Sequence, residues 1–162
     1  RDTLTGLLNR AFIDDGLVRL VEKCDRAEVP ISCTFVDIDK FKTINDDFSH
    51  KIGDEVLIGI SRLLMLGVRE NDPAVRYGGD EIVFFLPGSS GERAAEVAER
   101  IRLAVAGHDW DRTAPGLRVS SSFGVAERLP GENISAWMNR ADEAAYASKK
   151  AGRNRVSLSG GK

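Results

Sequence analysis

The sequence has only two cysteines, two histidines and five prolines in 162 residues, and its net charge is −2. Each scarcity excludes something. Cys24 and Cys33 stand in apolar stretches without metal-ligand spacing, so neither a disulfide framework nor a thiolate metal site is expected. They read as small core hydrophobes of a protein from a reducing cytoplasm. No apolar run approaches the roughly 20 residues needed to cross a bilayer, so no membrane contact is expected of this domain. It would be cytoplasmic, or the cytoplasmic part of a membrane-anchored sensor. Twenty-three basic residues against 25 acidic ones make no global basic field, which argues against DNA as a partner. An anionic ligand would have to be held by local features.

What is present is the balance of an ordinary globular domain: 42% apolar and 30% charged residues, in a chain long enough to bury a core unaided. Residues 1–162 read as one domain, excised from a longer multidomain protein. Ile13, Leu17, Leu20, Val21 and Cys24 recur at helical spacing and predict an amphipathic helix over roughly residues 10–28, ended by Pro30. Ile31 to Ile38 (ISCTFVDI) predicts a buried strand. A short helical piece around 41–47 leads into a helix marked by Val56, Leu57, Ile60, Leu63, Leu64 and Gly67. A hairpin follows, with Ala74–Tyr77 and Glu81–Leu86 joined through Gly78-Gly79, a pair that suggests a tight turn with positive φ. Ser89-x-x-Glu92 has the form of a capping box. The helix it opens would bury Ala94, Val97, Ala98, Ile101, Ala104 and Val105. Leu117 to Ala126 predicts a strand, with Gly124 marking a bulge. Ile134, Trp137, Met138, Ala141, Ala144, Ala145 and Ser148 form a last helical stripe ended at Gly152, and Val156–Leu158 predicts a final strand.

The order βααββαβ predicts an α+β fold: an antiparallel-centred sheet with flanking helices on one face and a ferredoxin-like split-βαβ core. In that plan the first strand and the first hairpin strand point the same way. The end of the first strand then lies beside the hairpin turn, which places Asp37 next to Asp80 across a long gap in sequence.

That juxtaposition carries chemistry. Val36-Asp37-Ile38-Asp39 closes an otherwise apolar strand, and the turn adds Asp80 and Glu81; buried carboxylates need a counter-charge. Oxygen ligands without histidine or cysteine suit Mg²⁺, or Mn²⁺. Phe41-Lys42-x-x-Asn45 follows the acidic strand directly, where helical N–H groups and the Lys42 ammonium could meet phosphate. Lys149 and Arg153, four residues apart, could clamp a triphosphate or simply complement a helix C-terminus. Asn45 and Asp54 offer the acceptors and donors that tell guanine from adenine. His50 reads as a locally bonded, supporting residue.

These residues fall into blocks that resemble the GGDEF-domain diguanylate cyclases over nearly the whole chain. The blocks are Asp2-x-Leu4-Thr5-Gly6-Leu7-x-Asn9-Arg10; Asp37-Ile38-Asp39-x-Phe41-Lys42-x-Ile44-Asn45-Asp46 with His50-x-x-Gly53-Asp54; Arg76-Tyr77-Gly78-Gly79-Asp80-Glu81; and Ala141-Asp142-Glu143-Ala144-x-Tyr146 with Lys149-x-x-Gly152-Arg153-Asn154. The resemblance implies a palm-like, nucleotidyl-cyclase-like fold and the Mg²⁺-dependent condensation of two GTP into cyclic di-GMP by a homodimer under an upstream sensory or dimerising domain. It implies Mg²⁺ on Asp37, Asp80 and the Ile38 carbonyl, with Asp37, Asp80 and Glu81 catalytic. The GTP-binding set would be Phe41, Lys42, Asn45, His50, Asp54, Gly78, Gly79, Lys149 and Arg153, the glycines admitting the nucleotide close to the backbone. Arg69-x-x-Asp72, with Arg100, matches the family's inhibitory product site.

Two positions depart from the family pattern. Ile82 stands where the signature has Phe, and Ser49 where a glycine usually precedes His50. If that glycine needs positive φ, serine is strained there. The alternative function is accordingly a weakly active or inactive domain that binds GTP or cyclic di-GMP as a regulatory module.

Overall fold

A computed structural model of the chain describes residues 1–160. Five strands form one sheet in the order β2-β3-β1-β4-β5. They are β1 (Ile31–Ile38), β2 (Ala74–Arg76), β3 (Glu81–Pro87), β4 (Ser121–Glu127) and β5 (Val156–Leu158). The helices are α1 (Gly16–Ala27), α2 (Phe41–Asp47), α3 (His50–Gly67), α4 (Gly91–Gly107) and α5 (Ile134–Lys150). Central β1 runs antiparallel to both β3 and β4, and only β5 is parallel to its neighbour β4. This is the expected α+β, antiparallel-centred architecture.

The helices cover both faces, not one. Val36, Ile38, Ile82, Phe84, Leu86, Phe123 and Val125 face α3 and α4. Cys33, Phe35, Val83, Phe85 and Ala126 face Leu17, Val21 and Cys24 of α1 and Trp137, Met138, Ala141 and Ala145 of α5. Alternation along β3 sends successive side chains into the two cores. Every residue of β1 is buried, as a strand covered on both sides must be.

Local chemistry moves several expected boundaries. The leading helix is split: a 3₁₀ turn over Arg10–Ile13, capped by the Asn9 side chain, precedes α1. Ser90, not Ser89, caps α4 by accepting from the Arg93 N–H, so the capping-box reading is one residue out of register. Ala104 is exposed on α4. The strand expected from Leu117 starts at Ser121.

Gly124 does not mark a bulge, for β4 stays in register with β1 on both sides of it. It marks a close approach. A Cβ there would lie 2.0 Å from the Ala145 nitrogen and 2.1 Å from the Ala141 oxygen, both backbone atoms of α5. Helix α5 therefore rests on bare strand backbone, and Ser148 Oγ fixes it lengthwise by donating to the Phe123 carbonyl at 2.8 Å.

Ser49 has φ 171° and ψ 166°, extended backbone open to any residue. Its Oγ caps α3 by accepting from the Ile52 N–H at 3.1 Å. Serine is thus unstrained and supplies a cap. Ser49→Ala should cost about 1 kcal/mol in a denaturation experiment and Ser49→Gly only a few tenths. A gain in stability from glycine would contradict this geometry.

Candidate active site

The acidic edge is built by strand register. Asp37 on β1 pairs with Glu81 on β3, and the Ile38 N–H approaches the Asp80 carbonyl at 3.5 Å. Two segments more than 40 residues apart in sequence thus present Asp37, Asp80 and Glu81 together, as the strand directions predict. The turn before β3 is wider than a two-residue hairpin. The Tyr77 and Gly78 N–H groups both donate to the Glu81 carbonyl, at 2.9 and 3.2 Å. Neither Gly78 nor Gly79 has positive φ, against expectation. Gly78 matters for space instead: a Cβ would come within 2.6 Å of Glu81 Oε1. At Gly79 a Cβ would meet nothing within 4 Å.

Electrostatics at this edge are strained in one direction. Burial pushes the Asp37 carboxyl above its ordinary range, Lys149 opposes that, and Asp80 and Asp39 add to it. Glu81 is raised too, by burial first and then by Asp37, Asp142 and Asp80. The Lys149 ammonium, on α5, pairs directly with Asp37 Oδ2. Burial works against its charge, but Asp37, Asp80 and Glu81 outweigh burial and raise its pKa. Lys149 thus sits on the acidic group itself, as its counter-charge. One ammonium cannot balance three carboxylates, so the edge retains a demand for a cation. No group of three or more His, Cys, Asp or Glu side chains among the described residues is arranged to hold a metal ion. Two aspartates beside a backbone carbonyl still fit Mg²⁺, which takes one or two carboxylates and fills its shell with water and phosphate.

Helices α2 and α3 bring Asn45 against Gly53, the neighbour of Asp54. A Cβ on Gly53 would overlap Asn45 Oδ1, at 1.8 Å, so a larger residue there would displace the Asn45 side chain. Asn45 Oδ1 is buried without a hydrogen-bond partner among the described residues. Such an orphan is uncommon in a folded protein and calls for an explanation. Asp54, Lys42 and His50 are exposed, and Phe41 is half-buried. The α2 N terminus has no side-chain cap. Arg153 lies with Lys40 on a cleft of about 700 Å³ bounded by α2, the segment from Ala106 at the end of α4 to Ser120, and the turn after α5. Asp37, Asp80 and Glu81 do not line that cleft.

Residues without an expected role frame this edge. Asp39 is buried and accepts from Ser120 Oγ (2.7 Å), Ser122 Oγ (2.6 Å) and the Asn154 N–H (3.0 Å). Arg76 joins Asp2 (3.3 Å) to the Gly79 carbonyl (2.9 Å), and Arg10 stacks over the Tyr77 ring at 4.0 Å. The N-terminal block therefore braces the turn that carries Asp80. Its match to the family pattern was the available signal, but no chemistry in the motif itself announces a brace.

On the opposite flank, Arg69, Asp72 and Arg100 line a second cleft of about 330 Å³, joined by Arg93. Asp72 is buried and accepts from the Arg69 N–H at 2.8 Å, and Arg100 donates to the Gly67 carbonyl at 2.7 Å.

The family model described as "Diguanylate cyclase, GGDEF domain" matches residues 1–155. The chain belongs to the GGDEF-domain diguanylate cyclase family. It is 42% identical over 159 residues to the response regulator PleD of Caulobacter vibrioides, covering 96% of this chain and 35% of that protein. It is 38% identical to the diguanylate cyclase DosC of Escherichia coli, covering 97% of this chain and 34% of DosC. The chain thus spans about a third of the length of these curated relatives. Among solved structures, the GGDEF domain of DgcB from Caulobacter crescentus, in complex with c-di-GMP, superposes with a TM-score of 0.92 at 35% identity, covering 99% of this chain and 93% of that one. The two departures from the family pattern are accommodated: Ile82 is fully buried opposite Val36, and Ser49 is a helix cap. No helix among the described residues is long and apolar enough to cross a membrane.

Proposed function

We propose that this domain condenses two GTP into cyclic di-GMP, releasing two pyrophosphates, in a two-fold pair of domains each holding one GTP. The observation that carries this reading is the meeting of Asp37, Asp80 and Glu81 at one sheet edge with Lys149 as the cation paired among them in the described residues. Mg²⁺ held by Asp37, Asp80 and the Ile38 carbonyl would neutralise phosphate charge there. In each half-reaction the 3′-hydroxyl of one GTP attacks the α-phosphorus of the other. The P–O bond to the β-phosphate breaks, and pyrophosphate leaves in line.

The protein groups position and neutralise. Lys42, Lys149 and Arg153 hold the triphosphate. Glu81, paired with Asp37 across the two strands, takes the proton of the attacking hydroxyl. Asp54 accepts from the guanine edge, and the orphaned Asn45 Oδ1 supplies a second acceptor; Phe41 and His50 flank that base, and Gly78 and Gly79 leave the nucleotide room. Arg69, Asp72 and Arg100 bind the product and restrain turnover, an Arg–carboxylate set suited to guanine edges and phosphates. Because one domain carries half of the site, activity depends on a homodimer, and an upstream segment would govern the encounter.

The test is product analysis of an artificially dimerised domain given GTP and Mg²⁺. Cyclic di-GMP with two equivalents of pyrophosphate is expected. No product, together with tight cyclic di-GMP binding, would replace the enzyme reading with that of a receptor. Asp54→Ala should lose at least about tenfold of the preference for GTP over ATP, since a lost specific hydrogen bond is worth that much. Unchanged selectivity would remove Asp54 from the base site.

A further inference from the structure

We propose that Arg102, on α4 and outside the substrate-binding set named above, is a positioning residue that sets the backbone turn presenting Arg153. The inference rests on the reading of Arg153 as a triphosphate ligand and adds what holds it in place.

After α5 the chain turns through Gly152 (φ 126°), Arg153 (φ 64°) and Asn154 (φ 48°). Two successive non-glycine residues in the left-handed region are unfavourable, and such conformations persist where the surroundings over-determine them. The over-determination is visible here. The Arg153 N–H donates to the Ser148 carbonyl at 2.9 Å, and the Asn154 N–H to Asp39 Oδ2 at 3.0 Å. Asp39 is itself immobilised by Ser120, just before β4, and by Ser122 on it.

The third tether comes from outside the site. Arg102 Nη1 donates to Asn154 Oδ1 at 2.9 Å and to the Asn154 carbonyl at 3.4 Å. Its guanidinium is aimed by a two-point pair with Glu99, at 2.6 and 2.7 Å, one turn back on the same helix. Glu99 thus orients Arg102, Arg102 and Asp39 clamp Asn154 from two sides, and the clamped turn sets the backbone from which Arg153 projects. Without Arg102, Asn154 would keep its N–H tether and lose both bonds that fix its peptide and side chain. The turn would then sample other conformations, and Arg153 would spend less time at the phosphates.

The experiment is calorimetric titration of this chain with GTP and, separately, with guanosine, which has the base and no phosphate, in Mg²⁺ buffer. Arg102→Ala should weaken GTP binding about tenfold, the order expected for losing a charge-assisted hydrogen bond, and leave guanosine binding within about twofold. Arg102→Lys should recover part of the loss. Asn154→Gly removes the Oδ1 acceptor yet adopts the left-handed conformation freely. It should weaken GTP binding while the thermal midpoint holds or rises, which a merely structural role for the clamp would not produce. The double variant should bind no worse than the weaker single one, as for two ends of one interaction. Should Arg102→Ala fail to fold, Asn154→Gly decides. If Arg153→Ala weakens GTP binding but Arg102→Ala and Asn154→Gly do not, the clamp is wrong and the phosphate reading stands. If Arg153→Ala is silent, both fail.

Discussion

An artificially dimerised domain carrying Asp80→Ala is expected to form cyclic di-GMP at no more than about a thousandth of the wild-type rate, because the proposed reaction would lose a metal ligand and the charge neutralisation that depends on it. The same change should not destabilise the unliganded domain. Asp80 stands half-buried on the turn before β3, and its charge pushes up the carboxyls of both Asp37 and Glu81. Removing it relieves repulsion among crowded carboxylates, so the thermal midpoint without Mg²⁺ should hold or rise. Asp37→Ala should differ in that second respect. It strips the partner from Lys149, whose ammonium lies partly buried on α5, and should lower the midpoint as well as abolish turnover. Rates and melting curves on the two variants therefore separate a ligand from a ligand that is also half of an ion pair. Wild-type turnover in Asp80→Ala would remove the metal site from this edge.

The acidic edge was legible in the sequence because strand direction follows from element order. Once the hairpin was placed after the helices, parallel β1 and β2 forced Asp37 toward the turn before β3, whatever the side-chain details. What was not legible depended on how elements seat on one another. The unbroken apolar run of β1 is the mark of a strand covered on both faces, yet the ferredoxin-like plan pointed to helices on one. Gly78-Gly79 suggested positive φ, but neither residue has it, and only at Gly78 would a Cβ crowd the Glu81 side chain. Ser49 looked like a strained substitution until its extended φ and its bond to Ile52 were known. Lys149 was readable as a cation near phosphate, but its pairing with Asp37 depends on the height at which α5 lies over the sheet. Asp39 belongs to the same class. Its acidity was visible, but three donors from two other segments make it a structural anchor, and no local pattern encodes those partners.

That height is set at Gly124, and Gly124→Ala is expected to lower domain stability by about 3 kcal/mol or more, the upper part of the range for overpacking a core. The reasoning is steric. The added Cβ would stand 2.0 Å from the Ala145 nitrogen and 2.1 Å from the Ala141 oxygen, and neither is a side chain that can rotate away. Relief requires α5 to lift off β4 as a rigid body, which opens contacts along Ala141, Ala145 and the buried Trp137 and strains the bond from Ser148 to the Phe123 carbonyl. For a domain of this size the loss corresponds to a fall of roughly 6–12 °C in the thermal midpoint. Gly124→Val, with branched bulk in the same gap, should leave little folded protein. The displacement also reaches the chemistry, since Lys149 lies one residue beyond Ser148 and meets Asp37 only while α5 is seated. Any Gly124→Ala protein that does fold should therefore lose turnover by more than its unfolded fraction explains, measured at a temperature well below its own midpoint. A midpoint within about 1 °C of wild type would show that helix and strand do not approach as closely as described, and with it would go the placement of Lys149 on Asp37.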